Sequence, residues 1–407
     1  MKVEFKHNPY LLVLWIYILS IEVFSYRAGF VLITYGLFAL LILCSLRLGK
    51  LRVRTNMLFG YMLTLTIVFG FSIFVSVNAS QTMRRWVTMF LMLVTSITIE
   101  WGFWETSADD LFDFFADTIC QTCVVAFFFD FLTIGPSTYL GYILNGARLI
   151  NVASQTNVMG MYGAVALNIM LYKTLFRRDK KIVPVYIFPV LMILASQSKK
   201  AILCVLLGLF LMLIMKYRHK KIAGVLVLCF AGVAVIYISQ LPVFSAIIRR
   251  FTNALGTMTG SNLDSRDWST YYRMQMIEEG LSLFNQHPLI GFGTDTYQFV
   301  SSFGTYSHNN YIELLANNGI IGFLAYYWVY LIIIAMLLKR VIKYNDDKAT
   351  VLLAIIVEQL LMDYGSVNYY NKIVYIYISW ILLYLDHRKR EKTLGEIDDQ
   401  GFYNYGT

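Results

Sequence analysis

Long stretches without a single charged residue recur along this chain, at 28–46, 55–83, 149–172, 182–198, 222–248 and 319–338, separated by short polar intervals. Most of them suit one helix crossing a hydrocarbon core of ~30 Å, which takes about 20 residues. The pattern predicts spans near 9–25, 28–46, 57–77, 86–102, 112–134, 156–174, 182–197, 201–215, 222–242, 319–338, 349–365 and 372–386. Twelve such helices leave both termini on one side. The pattern is weakest at 86–134, where Glu100, Glu105, Asp109, Asp110, Asp113, Asp117 and Asp130 interrupt it. The stretch 201–215 is short unless Lys199 and Lys200 snorkel at its start. The first apolar segment carries Glu22 and lacks a small-residue cleavage site, so it is expected to be a retained span and not a signal peptide. The expected fold is thus an all-α polytopic membrane protein. It has one integral domain over 1–391, interrupted by a long loop at 243–318, and a loosely ordered polar tail at 392–407.

Composition agrees. Of 407 residues, 58% are hydrophobic and only 14% charged, too few charges to cover a soluble globule. The net charge of +9 is unevenly distributed. With the amino terminus in the cytoplasm, 23 of the 34 lysines and arginines fall in cytoplasmic segments, the bias expected of inward-facing loops. The segment 241–318 then lies outside the cytoplasmic membrane. Cys44, Cys120, Cys123, Cys204 and Cys229 all fall inside predicted spans, where thiols behave as small apolar groups. The CxxC pair at 120 and 123 has neither a second pair nor a nearby histidine, so helix packing is its expected role.

Charge on the wrong side is more informative. Arg27, Arg84, Arg85, Arg148, Lys199, Lys200, Arg249, Arg250, Arg266, Arg273 and Lys372 break the inside rule. Interfacial contact with lipid phosphates accounts for Arg27, Arg249, Arg250 and Lys372. Yet five segments, 84–85, 148, 199–200, 249–250 and 266–273, bring cations to one face, as a phosphate-bearing substrate arriving from the membrane requires.

Within the long polar interval, 241–270 is rich in Gly, Ser, Thr and Asn and shows no helical period. From Tyr271 to Phe284, apolar residues recur at three and four, predicting an amphipathic helix at the membrane surface with Arg273 in its first turn. His287-Pro288 ends it, and Gly291, Gly293 and Gly304 allow a tight loop. Ser307 is the expected N-cap of a short helix stopped by Gly319, where the tenth span begins. His308 then falls in a first turn, where backbone N–H groups disfavour further positive charge. Either it is a neutral proton acceptor or it hydrogen-bonds a loop carbonyl.

Arg273, His287-Pro288-Leu289-Ile290-Gly291-Phe292-Gly293, His308-Asn309-Asn310-Tyr311 and Gly319-Ile320-Ile321-Gly322, in that order, resemble the signature of the O-antigen ligase and polymerase superfamily. Arg148-Leu149 with Thr156-Asn157 is similar to another family segment, with Thr156 in place of the usual proline. Ser198-Lys199-Lys200-Ala201 is similar to a third, with lysine replacing arginine. The resemblance implies a membrane-embedded glycosyltransferase of GT-C type, without cofactor or metal, that takes glycan from a polyprenyl diphosphate carrier. Arg148 and Arg273 would steady the leaving diphosphate, supported by Lys199, Lys200 and Arg266. His308 would be the base, and Asn157, Asn309 and Tyr311 would orient sugars or the imidazole. Asp264, Asp267, Asp295 and Glu313 are scattered and form no metal-ligand pattern.

The expected activity is a polysaccharide polymerase that joins lipid-linked repeat units of an O-antigen, capsule or exopolysaccharide. A ligase moving finished glycan to a lipid or protein acceptor shares donor and motifs. A transporter or flippase of lipid-linked sugars is the non-enzymatic alternative, and it predicts polar residues spread through the spans. Expected partners are the carrier-linked oligosaccharide, membrane lipids, and a chain-length regulator and flippase of the same pathway. No nucleic acid is expected. Intramembrane Glu22, Glu358 and Asp363 are expected to pair with buried tyrosines or arginines.

Overall fold

The computed structural model describes residues 8–24, 31–47, 54–149, 156–220, 222, 224–227, 232, 242–259 and 267–403. Among them every regular element is helical. In chain order they are α1 (Pro9–Phe24), α2 (Val31–Arg47), α3 (Met57–Phe71), α4 (Ala79–Gly102), α5 (Ala108–Ile134), α6 (Pro136–Leu144), α7 (Thr156–Leu175), α8 (Ile187–Ser196) and α9 (Lys199–Tyr217). After them come α10 (Pro242–Thr259), α11 (Trp268–Gln286), α12 (Tyr297–Val300), α13 (Asn310–Tyr344), α14 (Asp347–Asp363) and α15 (Lys372–Tyr403). Met57–Val75, Ala108–Ile134, Thr156–Leu175, Lys199–Tyr217 and Asn310–Tyr344 are long and apolar enough to cross a membrane, and α1 and α2 are shorter apolar helices. The protein is an all-α membrane protein.

The twelve-span expectation is met only in part. The stretch 182–197 is not one span but a 3-10 segment, Lys180–Tyr186, followed by the ten-residue α8. Pro184 lies inside the 3-10 segment, and a proline removes an N–H and clashes with the preceding turn. The span expected at 222–242 falls mostly outside the described residues. Two helices were missed. One is α6, opened by Pro136, and the other is α10, in a stretch judged aperiodic from its Gly and Thr content. Its apolar positions Phe244, Ile247, Ile248, Phe251, Leu255 and Met258 do recur at three and four. The tail predicted to be loose continues α15 to Tyr403.

Helix starts follow local chemistry. Asn56, Asn78, Ser107, Ser198 and Asp346 each accept a first-turn backbone N–H through the side chain. Buried acids in the spans find neutral partners: Glu22 is hydrogen-bonded by Tyr162, Glu358 by Asn168, and Asp363 by Tyr327, Asn310 and Asn368.

One junction positions the site. Gly319 interrupts α13 at φ 61°, ψ −165°, a region open essentially to glycine. The break orphans carbonyls on one side and N–H groups on the other, and the 288–293 loop supplies partners to both. Phe292 and Gly293 N–H donate to the carbonyls of Ala316 and Asn317 at 3.1 and 2.7 Å. Ile320 and Ile321 N–H donate to those of Pro288 and Leu289 at 2.8 and 3.2 Å. A Cβ on Gly319 would stand 2.3 Å from the Leu289 carbonyl carbon, and one on Gly291 2.4 Å from that of Asn317. The two glycine motifs of the sequence are therefore halves of one splice, and it fixes the direction in which the 310–318 helix presents its start.

Candidate active site

Arg148 and Leu149 leave α6 and are strapped down at once. Leu149 N–H donates to the Ala195 carbonyl at 3.0 Å, and Thr156 Oγ1 donates to the Leu149 carbonyl at 3.0 Å. Thr156, standing where the family pattern has proline, thus ties the first residue of α7 back to Leu149. The Arg148 guanidinium donates from Nη2 to Asn157 Oδ1 at 2.7 Å. At the end of α8, Gln197 takes a left-handed conformation, φ 51°, that reverses the chain. Ser198 then caps α9, and Lys199 and Lys200 open it.

Lys199 Nζ meets Asp267 Oδ2 at 3.2 Å, and Thr270 Oγ1 donates to the same oxygen at 3.0 Å, just ahead of and within the first turn of α11. Burial works against the Asp267 charge, but the bonds from Lys199 and Thr270 outweigh it and hold this carboxyl below its usual range. Lys200 runs across Gly365, where a Cβ would sit 2.2 Å from Nζ, and donates to Ser366 Oγ at 3.3 Å. Arg273 lies in the second turn of α11, one turn later than expected.

The predicted N-cap is corrected. Asn309, not Ser307, caps α13, its Oδ1 accepting from Tyr311 N at 3.0 Å and Ile312 N at 3.3 Å. An amide two residues nearer the helix satisfies two orphan donors at once. Ser307 instead donates from Oγ to the Asn309 carbonyl at 2.8 Å, and its N–H goes to Glu313 Oε2 at 2.7 Å. His308 is held between them in a left-handed conformation, φ 56°, immediately before the cap and not in the first turn. Its ring packs on Tyr306 with centroids 4.2 Å apart. Burial first, then Arg273 and Lys200, push its pKa down to about 4. An imidazole shifted this way carries no charge at neutral pH, and the causes are desolvation and the neighbouring basic groups.

These segments enclose a cavity of about 260 Å³ lined by Arg148, Asn157, Lys199, Lys200, Arg273, His308 and Asn309, with Asp267 its one carboxylate among the described residues. The first turns or caps of α7, α9, α11 and α13 all open on it, so their backbone N–H dipoles add to the side-chain charge. Six residues expected at the site from five stretches of sequence converge with His308 on one hollow.

Others do not. Tyr311 donates to the Leu360 carbonyl at 2.7 Å and stacks on Tyr327 with centroids 4.9 Å apart, away from the cavity. Two residues past the cap, it points at the packed side of α13. Arg266 lies outside the described residues, as does the side chain of Arg250. Arg85 turns to Asp295, Nε to Oδ2 at 2.6 Å, and covers the Tyr370 ring instead of lining the cavity. Sequence reasoning missed Gln197, Thr270, Tyr364 and Gly365, which also line it. The signal available was the uncharged polar run Tyr364 to Asn371 between two apolar helices.

Among the described residues no group of three or more His, Cys, Asp or Glu is placed to hold a metal ion. A comparison with curated proteins finds no match. Residues 184–327 match the family model described as O-antigen ligase, a stretch that runs from α8 through the splice at Gly319 and includes Lys199, Lys200, Arg273 and His308. That match, the ordered motifs and the cavity they build make this chain similar to the O-antigen ligase and polymerase superfamily.

Proposed function

We propose that the protein is a polysaccharide polymerase acting on polyprenyl-diphosphate-linked oligosaccharides at the outer face of the cytoplasmic membrane. The carrying observation is the cavity in which Arg148, Lys199, Lys200 and Arg273 surround a neutral His308. In this reading the donor's diphosphate lies among those cations while its polyprenyl chain remains in the bilayer. An acceptor hydroxyl attacks the anomeric carbon, and its proton passes to a ring nitrogen of His308. The bond from that carbon to the phosphate oxygen breaks, and its electron pair leaves on the diphosphate. The developing charge is met by guanidinium groups fixed beforehand, which is where electrostatic stabilisation acts most strongly. These four cations take the part a divalent ion plays elsewhere, so the transfer is expected to proceed without one. The basic residues Arg177, Arg340, Lys348 and Arg388 sit at the opposite helix ends, which supports cytoplasmic termini and an outward-facing cavity.

The test is a gel of carrier-linked glycans from cells in which Arg273→Ala or Arg148→Ala replaces the wild type. A polymerase predicts a ladder collapsed to one repeat unit, with that unit accumulating on its carrier. An intact ladder that never reaches its final anchor would mean a ligase, and unchanged glycan in both variants would overturn the enzymatic reading.

A further inference from the structure

His308 has a second side. Beyond the cationic cavity, and sharing with it only the wall of Asn157, His308 and Gly365, lies a smaller hollow of about 50 Å³ lined by Tyr306, Ser366, Asn368, Tyr370 and Asn371 as well. At about 10–15 Å³ per water, it takes roughly three to five waters' worth of a ligand, the size of one hydroxyl-bearing ring edge. Among the described residues no arginine, lysine, aspartate or glutamate lines it. An anion therefore has nothing to seek there, although one cavity away four cations gather.

What lines it instead are neutral donors and acceptors already fixed in direction. Asn157 Oδ1 takes Arg148, which leaves the amide nitrogen to donate. Asn371 Oδ1 takes the Ile373 N–H at 3.3 Å, which again leaves a donor. Asn368 is oriented oppositely: its Nδ2 donates to Asp363 Oδ1 at 2.8 Å, which leaves the carbonyl oxygen to accept. Ser366 Oγ accepts from Lys200 at 3.3 Å, and its own proton remains to be donated. Two tyrosine rings complete the wall. Tyr370 is held by the Arg85 guanidinium 4.0 Å over its ring and by Tyr369, centroids 5.0 Å apart. The 365–371 turn is itself anchored, because Asn310 Oδ1 accepts the N–H groups of Asn368 and Tyr369 at 2.8 and 2.9 Å. Uncharged, aromatic-walled and alternating in donor and acceptor, this hollow suits a neutral polyhydroxylated ring.

We propose that the hollow bounded by Tyr306, Ser366, Asn368, Tyr370 and Asn371 is the acceptor subsite, holding the hydroxyl-bearing edge of the sugar that attacks. The inference rests on the transferase reading above. It gives His308 its position: the imidazole stands in the wall between the acceptor hydroxyl on one side and the diphosphate-linked anomeric carbon on the other. It also divides the labour, with cations holding the carrier and the 365–371 turn selecting the sugar.

The experiment uses full-length protein in lipid nanodiscs and, as probe, the repeat-unit oligosaccharide released from its carrier by mild acid. Saturation-transfer NMR reads binding of that oligosaccharide, and transfer is followed from the carrier-linked unit onto it. Tyr370→Ala and Ser366→Ala are expected to raise the acceptor KM at least tenfold and to abolish the saturation-transfer signal. Inhibition by polyprenyl diphosphate stays within twofold of wild type. Tyr370→Phe, which keeps the ring, retains most of the binding and guards against a folding artefact. Unchanged acceptor KM in both variants while transfer proceeds would overturn the subsite and leave the transferase reading standing. Oligosaccharide bound by the wild type and lost in Tyr370→Ala, with no transfer by either, would overturn the transferase reading and keep the hollow as a saccharide site.

Discussion

The two ends of the helix bundle handle charge in opposite ways. At one end, formed by the starts of α5 and α14 and the ends of α7 and α13, cations meet acids. Arg177 pairs with Asp113 at 2.7 Å, Arg340 with Asp346 at 2.7 Å and Arg388 with Asp109 at 2.5 Å, and Lys348 and Lys173 meet Asp109 and Asp117. At the other, four basic side chains and an imidazole line a hollow whose one carboxylate among the described residues, Asp267, meets Lys199 at 3.2 Å. Like charges gathered in a half-buried cavity oppose folding, whereas alternating pairs are neutral or mildly favourable to it. The first end is built for stability, and on the proposed reading the second presents its basic groups to something anionic. Sequences depart from locally favourable choices mainly at functional sites, and here that departure is confined to one end of the helices.

The largest effect expected of this contrast is at His308. His308→Ala should lower transfer by about 10²–10⁴-fold, the range for a lost general base. Its pH dependence is sharper still. Burial, Arg273 and Lys200 push the free imidazole down to about 4, so kcat/KM, which reports free enzyme, should stay level as pH falls past 6 and drop only near 4. The base works when deprotonated, so activity is present above this pKa and lost below it. In the donor complex the diphosphate cancels the field of Arg273 and Lys200, so the acid limb of kcat should lie above that of kcat/KM, while burial, the larger cause, keeps it below the ordinary histidine value of about 6.5. Coincident limbs for kcat and kcat/KM would show that cavity charge does not govern the imidazole, and the contrast between the ends would lose its functional meaning.

Next in size is the backbone that aims the cavity. Gly319→Ala places a side chain at φ 61°, ψ −165° and 2.3 Å from the Leu289 carbonyl carbon. The conformation alone costs about 1–3 kcal/mol, and the clash adds to it. Thermal unfolding of the variant should fall by several degrees, and the fraction that folds should lose transfer, since Asn309 and His308 are carried by the helix that ends there. Normal turnover in this variant would mean that the splice is not what positions the imidazole.

At the paired end the expectation reverses. Asp346 caps α14, accepts from Arg340 Nε at 2.7 Å and from Tyr384 OH at 2.7 Å, and is buried. Asp346→Ala leaves a half-buried arginine and a buried tyrosine hydroxyl short of an acceptor and should destabilise by about 2–3 kcal/mol. Transfer per folded molecule should stay within twofold. A fall in turnover as large as that of the cavity variants would show that the ends are coupled and would break the comparison drawn here.

How much of this was legible in sequence depends on the residue. Membrane spans were legible because burial in lipid demands long apolar helices, and the convergence of Arg148, Lys199, Lys200, Arg273 and His308 was legible because positive charge that breaks the inside rule is rare enough to stand out. Direction of side chains was not. Ser307 and Asn309 are both good caps, and only the built turn shows that Asn309 takes the helix. Arg85 and Arg273 look alike as misplaced cations, but Asp295, far along the chain, claims the first. The 365–371 turn escaped notice because neutral polar residues between two spans carry no charge signal, although Asn368, Tyr370 and Asn371 build a cavity wall.

Tyr311 gives the smallest expected effect and the clearest separation of motif from role. It stands in the same four-residue motif as His308, and the motif alone assigns it to sugar binding. In the structure its hydroxyl donates to the Leu360 carbonyl at 2.7 Å, and its ring stacks on Tyr327 at 4.9 Å and 20°. Those contacts join α13 to α14 and reach neither cavity. Tyr311→Phe keeps the stack and removes one hydrogen bond, which should cost about 1 kcal/mol of stability. The acceptor KM and the inhibition by polyprenyl diphosphate should both stay within threefold of wild type. A tenfold rise in either would put the tyrosine back at the substrate, against its placement between two packed helices. A result confined to stability would mean that the motif combines a residue that reacts with one that holds the helix beneath it.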